Sequence, residues 1–255
     1  MKLFRADLHI HTVLSPCGSL EMSPERIVAA ALDKKMDIIA ITDHNSTRQW
    51  RAVREVGLEK GLMVIGGAEI NTREEVHCLA LFENDDALAL FQDYIDLWLP
   101  AVKNIPEKFG HQVWVDRHEH ILGEEERLLW TGLNQSIEQV AEKVHELEGL
   151  FIPAHVDRQA FGLYSQLGFF PLGLQVDALE VTHRVTAEFI ESKGVGDHSR
   201  LITSSDAHDP DRIGESFTWF RMQAPTFNEM RLALQGVDGR EVWPGGELFQ
   251  KREKR

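Results

Sequence analysis

The sequence predicts an α/β fold, arranged as a barrel of the TIM type. Short β-rich apolar runs alternate with amphipathic stretches along most of the 255 residues, the pattern of a largely parallel sheet whose strands are joined by helices. About seven such strands can be counted, too many for a small unit and enough for a barrel. With 43% hydrophobic residues and 19 Gly and 9 Pro dispersed along it, the chain can bury one sizeable core, so a single domain over residues 1–255 is expected.

The elements follow in order. LFRADLHI reads as the first strand, and SPERIVAAALDKKM as a helix with Ser23 as cap and Pro24 at its first position. DIIAITDH is the second strand, Thr47 to Lys60 a helix and LMVIGGAEI the third strand. VHCLALF is a further strand, and Asp85 to Trp98 a helix. Ser136 to Glu148 is another helix, with Glu138 and Gln139 in its first turn. GLFIPAH, DALEVTH and RLITSSDAH complete the strands. Residues 101–134 break this rhythm. They hold no sustained period beyond a short hairpin around HQVWV, and they read as an insertion forming a lid or rim. His118 and His120 of its HEH either cap a site or face water, and the terminal KREKR reads as a solvated tail.

Charge narrows the function. Lys and Arg number 27 against 41 Asp and Glu, a formal balance of -14, which argues against a nucleic-acid coat protein or an anionic-membrane binder. No window approaches the ~18 consecutive apolar residues of a membrane span. The N-terminus turns polar too early for a secretory signal, so a cytoplasmic location is expected. The two cysteines, Cys17 and Cys78, are too few for a disulfide framework and fit a reducing compartment.

Position, more than number, marks the candidate site. His9 and His11 end the first strand, His44 the second and Glu69 the third; His77 lies in the next strand, His155 ends FIPAH, and Asp206 and His208 end LITSSDAH. In a parallel barrel the carboxyl ends of all strands converge on one face, so these side chains are expected to meet there. A solitary buried His more often bonds a carbonyl than a metal, and Cys17 by itself is as readily a core filler. So many such placements on one face are hard to reconcile with chance.

The motifs that carry these residues resemble those of the polymerase and histidinol phosphatase (PHP) family. Asp7-Leu8-His9-Ile10-His11-Thr12 matches its first signature and Ile41-Thr42-Asp43-His44-Asn45 its second. Glu69 with His77 matches its third and Ser205-Asp206-Ala207-His208 its last, while Pro153-Ala154-His155 supplies the remaining histidine. The resemblance runs in order from residue 3 to about residue 215. It implies a distorted (βα)7 TIM-like barrel with two or three divalent metal ions at the carboxyl face of the strands. His9, His11, Glu69 and Asp206 resemble the ligands of a first metal, with Glu69 bridging to a second held by His77 and His155. Cys17, His44 and His208 resemble a third set, and Cys17 stands where the family usually places His or Asp.

Imidazoles and carboxylates in one cluster suit zinc, manganese or iron. The expected reaction is hydrolysis of a phosphomonoester, a nucleotide or a small phosphorylated metabolite, by metal-bound hydroxide. Arg158 is placed to bind the phosphate, Arg184 to assist it and His183 to protonate the departing oxygen, while Asp43 orients a ligand histidine. A nuclease or phosphodiesterase acting on nucleic acid is the nearest alternative, and a non-catalytic metal-binding scaffold the second.

Overall fold

In the computed structural model, residues 1–195 and 200–245 are described, and the basic KREKR tail lies outside them. Strand β1 (Lys2–Ile10) passes from exposed at its start to fully buried at its end. It pairs in parallel with β2 (Ile38–Ile41), which pairs in parallel with β3 (Met63–Asn71). The crossovers are helices α1 (Pro24–Asp33) and α2 (Trp50–Lys60), which bury Ile27, Val28 and Ala31, and Val53 and Val56, at the spacing of one helical face. Gly61 stops α2 in the left-handed conformation at φ 76°, a geometry glycine adopts without a Cβ clash. Ser23 occupies the cap position of α1, yet its hydroxyl makes no capping bond; Pro24 and tertiary packing start this helix instead.

The expected parallel order breaks at β4 (His77–Phe82). It runs antiparallel to β3 and to β7 (Leu150–Pro153), because the 72–76 connection is too short for the crossover that a parallel pair needs. Beyond β1 the sheet is extended by β10 (Thr218–Met222) and β11 (Glu241–Pro244), both antiparallel, in the order β11-β10-β1-β2-β3-β4-β7. Strands β8 (Ala178–Glu180) and β9 (Arg200–Ile202) form a separate parallel pair, shorter than the runs expected for them. The molecule is thus an α/β fold on a curled seven-stranded sheet, whose ladder departs from a uniform (βα)7 ring. At one end single hydrogen bonds link the pieces: Val156 N donates to Glu180 O (2.9 Å), Val181 N to Ile202 O (2.9 Å) and His11 N to Ala207 O (3.0 Å).

Alternate strand residues build two apolar clusters. One contains Ile39, Ile41, Val64 and Phe151 and takes the buried faces of α1, α2, α3 (Asp85–Trp98) and α5 (Ile137–Glu146). The other contains Leu8, Ile38, Ile65, Leu79, Leu81 and Ile152, and helix α8 (Phe227–Gln235) packs Phe227, Met230, Ala233 and Leu234 into it. Along β3 and β4 this second face continues, by the two-residue period, from Ile65 to Glu69 and from Leu79 to His77. Apolar side chains therefore give way to ligand-type ones on the same surface of the sheet.

Segment 101–134 carries a one-turn helix α4 (Pro106–Phe109) and a hairpin of β5 (Val113–Val115) with β6 (Ile121–Glu124). His118 and His120 sit in its exposed turn, where Asp116 accepts from both of their backbone amides. Gln49 ties the segment to the body through Val115 O and Val115 N, while Gln112 ties the segment to itself at Glu125 O, Arg127 O and Leu129 N. Among the described residues no helix is long and apolar enough to cross a membrane.

Candidate metal centre

Glu69 is the hub. Its Oε1 lies 2.8 Å from His77 Nδ1, 3.1 Å from His155 Nε2 and 3.3 Å from His9 Nε2. Its Oε2 lies 3.0 Å from His44 Nδ1 and 3.3 Å from His11 Nε2. All six side chains are buried. Burial works against a charged Glu69, but His77, His9 and His44 around it hold its carboxyl well below the usual range.

The fold explains how these residues meet. His9 and His11, two residues apart, point to the same face of the strand with Ile10 turned the other way; β1 ends at Ile10, its pairing with β2 is irregular between Asp7 and Ile10, and the two Nε2 atoms come to 3.2 Å. His77 arrives from the start of β4, not from the end of a strand, because β4 is reversed. His155 and Asp206 follow β7 and β9 with positive φ of 31° and 50°, a backbone region costly for residues with a Cβ and found where surroundings demand it.

Hydrogen-bond partners assign the imidazole protons. His9 Nδ1 faces both oxygens of Glu180 at 3.2 Å, so it carries the hydrogen. Ser15 Oγ donates to Asp43 Oδ1 (2.7 Å) and therefore accepts from His11 Nδ1 (2.9 Å). The Nε2 lone pairs of both rings consequently face each other, Glu69, and Asp206 Oδ1 at 3.4 and 3.2 Å. Electron pairs so crowded need protons or a cation between them. Without a cation they draw protons: burial opposes the charge on His11, but Asp206 and Glu69 push it up to about 9, and Glu69, Glu180 and Asp206 likewise raise His9 against its own burial. Asp206, although desolvated, is driven well down by His9 and His11.

Three groups of donors are close enough to share an ion: His9, His11, Glu69 and Asp206; His44, Glu69 and His77; and His11, His44 and His208. The facing lone pairs and the mixed imidazole and carboxylate donors fit a divalent cation. Neither Cys17 nor His155 joins these groups, although His155 Nε2 lies 3.1 Å from Glu69 Oε1, and burial pushes the Cys17 thiol up, away from the thiolate a metal requires. Burial also lowers His44 to about 4 and His208 to about 3, aided by the neighbouring His11. Asp43 accepts from Thr12 N and Thr12 Oγ1 at 2.7 and 2.8 Å and reaches His11 only through Ser15.

Beside Asp206 opens a cavity of about 670 Å³, whose lining includes Arg158, His183, Arg184, Ser204 and Arg212. Arg158 Nη1 lies 2.6 Å from Asp206 Oδ2, and Arg184 Nε donates to His183 Nε2 at 3.3 Å. The Ser204 hydroxyl is buried without a partner. Sequence reasoning missed Arg212, and it missed Glu180, whose buried carboxylate also accepts from His155 N at 3.3 Å. The one signal for Glu180 was an acidic residue inside the apolar run DALEV.

Comparison with known proteins places this geometry in context. Residues 7–168 match the model of the PHP domain. The chain is 26% identical to the uncharacterized protein YqxK of Bacillus subtilis over 95% of its own length and 64% of that protein. Over 33% of this chain and 33% of the other, it is 33% identical to phosphoribosyl 1,2-cyclic phosphate 1,2-diphosphodiesterase of Eggerthella lenta. The crystal structure of the lesion-specific endonuclease PfuEndoQ from Pyrococcus furiosus shares the fold, with a TM-score of 0.73 and 22% identity over 96% of this chain and 59% of that one. Endonuclease Q in complex with a 27-mer duplex bearing an abasic lesion superposes with a TM-score of 0.71, at 22% identity over 96% of this chain and 60% of that one. The chain therefore spans 64% of the length of YqxK and 59% of that of the endonuclease.

Proposed function

The chain belongs to the PHP domain family, and from that membership we propose that it hydrolyses a phosphomonoester, a nucleotide or a small phosphorylated metabolite, with the help of divalent metal ions. The observation that carries this reading is at Asp206. One of its oxygens faces the His9 and His11 lone pairs, and the other meets Arg158 at the edge of the cavity. Donors for cations and a phosphate-binding guanidinium thus share one carboxylate. Divalent ions so held supply water activation and neutralisation of phosphoryl charge.

The chain's own residues do the rest. His9, His11, Glu69 and Asp206 hold a first ion, Glu69, His77 and His155 a second, and Cys17, His44 and His208 are the third expected set; zinc, manganese and iron all suit these donors. Glu180 and Asp43 fix the ring orientations, Asp43 through Ser15. Arg158 takes phosphoryl oxygens in bidentate fashion, and Arg184 and Arg212 flank it. His183 is the expected proton donor to the departing oxygen. As a neutral ring accepting from Arg184 at Nε2 it offers that oxygen an Nδ1–H hydrogen bond, and to transfer a proton it would have to be protonated at both nitrogens and give up the Arg184 bond. In this reading the sheet and the β8–β9 pair form one distorted (βα)7 wall around the centre.

A panel of nucleotides and sugar phosphates, assayed with and without chelator beside bis-p-nitrophenyl phosphate and an oligonucleotide, tests the proposal. Release of inorganic phosphate that stops on metal removal is the expected result. Hydrolysis confined to the oligonucleotide would favour the second reading, a nuclease. That reading draws on the DNA-bound endonuclease of the same fold, against the acidic balance of this chain. Bound metal with no hydrolysis at all would leave a scaffold.

A further inference from the structure

Trp130 lies near the end of the 101–134 segment, and its indole Nε1–H donates to His44 Nε2 at 3.0 Å. A neutral imidazole that accepts at Nε2 carries its proton on Nδ1, here 3.0 Å from Glu69 Oε2. While the indole bond stands, His44 has no lone pair to offer an ion. The indole is held there from behind. Leu129 O and Thr131 O accept from Asn45 Nδ2 at 2.7 and 2.9 Å, and Trp130 O accepts from Asn71 Nδ2 at 3.0 Å. Asn45 Oδ1 in turn accepts from Asn71 N, tying both amides together. Gly132 follows so tightly that a Cβ there would meet Thr72 O at 2.9 Å. Backbone bonds to two asparagines thus aim the indole.

The remaining donors of the third set are equally committed. Cys17 belongs to no donor group. His11 gives Nδ1 to Ser15 and turns Nε2 to His9 and Asp206, inside the first set. His208 donates from Nδ1 to Asp206 O at 2.9 Å, which leaves it a single lone pair. An ion in this place would find one free protein donor, where zinc commonly takes about four ligands, at least three of them from the protein.

We infer that Trp130 keeps His44 out of metal coordination, so that this chain builds a two-metal centre in which the set of Cys17, His44 and His208 takes no ion. His44 then only lines the centre beside Glu69, and the second ion is left to Glu69 and His77, with His155 Nε2 3.1 Å from the same carboxylate. The inference rests on the metal-binding part of the proposed function and is independent of the substrate.

Elemental analysis tests it. The metal-free chain is loaded with zinc, desalted, and its zinc counted against protein. Two equivalents are expected in the wild type and in Cys17→His, and three only when Cys17→His is combined with Trp130→Phe, which removes the N–H and keeps an aromatic ring. Three equivalents in the wild type or in Cys17→His, or two in the double variant, would overturn the inference. Hydrogen exchange provides a second readout on the wild type itself. The Trp130 indole N–H resonance, assigned among six tryptophans by its loss in Trp130→Phe, should stay protected when zinc saturates the protein. Loss of protection would mean that an ion has displaced the indole, and the inference fails. A wild type that retains no zinc sinks the metal reading itself, a different outcome from either.

Discussion

His9 Nδ1 lies 3.2 Å from both carboxylate oxygens of Glu180, a residue 171 positions away. This buried pair fixes which nitrogen of His9 is free to meet a cation. Replacing Glu180 with Ala should weaken zinc binding by about 10–100-fold, the usual cost of losing such a partner. Competition against a chromogenic chelator measures it, and an unchanged affinity would show that packing alone orients the ring.

Removing a donor is more severe. His9→Ala and Asp206→Ala should each abolish phosphoester hydrolysis while leaving the circular dichroism spectrum of the fold intact. Residual turnover above one hundredth of wild type, roughly the loss of about 3 kcal/mol of barrier lowering, would contradict a shared first ion.

Arg158→Ala should act mainly on substrate binding, raising KM by about tenfold or more with a smaller change in kcat. The separation matters because Arg158 also contacts Asp206 at 2.6 Å. An equal loss in kcat, accompanied by lower zinc content, would reassign Arg158 to holding Asp206.

The pH response of the metal-free chain follows from two opposite shifts. His11 is raised to about 9, so its contribution to stability is complete below the ordinary histidine value of 6.5 and is lost as pH rises through 9. Glu69 and Asp206 are lowered, so theirs is present above the ordinary carboxylate values of 4.5 and 3.8 and is lost as pH falls below them. His44 and His208, lowered to about 4 and about 3, stay neutral in the fold while the unfolded chain takes up their protons, so stability also falls as pH drops below the ordinary histidine value. The thermal midpoint should therefore peak at about pH 6.5. Metal binding requires the imidazoles to lose their protons, so zinc affinity should rise across the same alkaline range in which the metal-free chain weakens. A midpoint that climbs from neutral pH to about 9 would contradict the assigned contacts.

Helix α8 closes the apolar part of the sheet surface that continues into the centre, and Met230 within it is fully buried. Met230→Ala should lower unfolding free energy by about 2–5 kcal/mol in urea denaturation, with the m-value unchanged. A change under about 0.5 kcal/mol would mean that the helix docks without relying on this contact.

The alternation of elements and the placing of ligand-type side chains at strand ends were legible in the sequence, because both are written as local patterns. Glu180 was not. One acidic residue in an apolar strand carries no spacing signature, and only the meeting of Glu180 with His9 in the fold gives it meaning. The reversal of β4 was likewise hidden, since VHCLALF reads the same in either direction and only the brevity of 72–76 betrays it. Asn45 and Asn71 look like ordinary turn residues, and their grip on the carbonyls of 129–131 exists only across dozens of residues.

That reversal has a kinetic consequence. Glu69 and His77 are brought together by one tight hairpin, with Asn71 opposite His77 and Glu69 opposite Leu79, so this half of the centre can assemble as soon as two adjacent strands zip. The other half waits on closure between the chain's distant ends, where Ser205 N reaches Asp7 across 198 positions. Long loops close slowly, so a nascent or refolding chain should acquire a partial, single-carboxylate grip on metal well before the full centre exists.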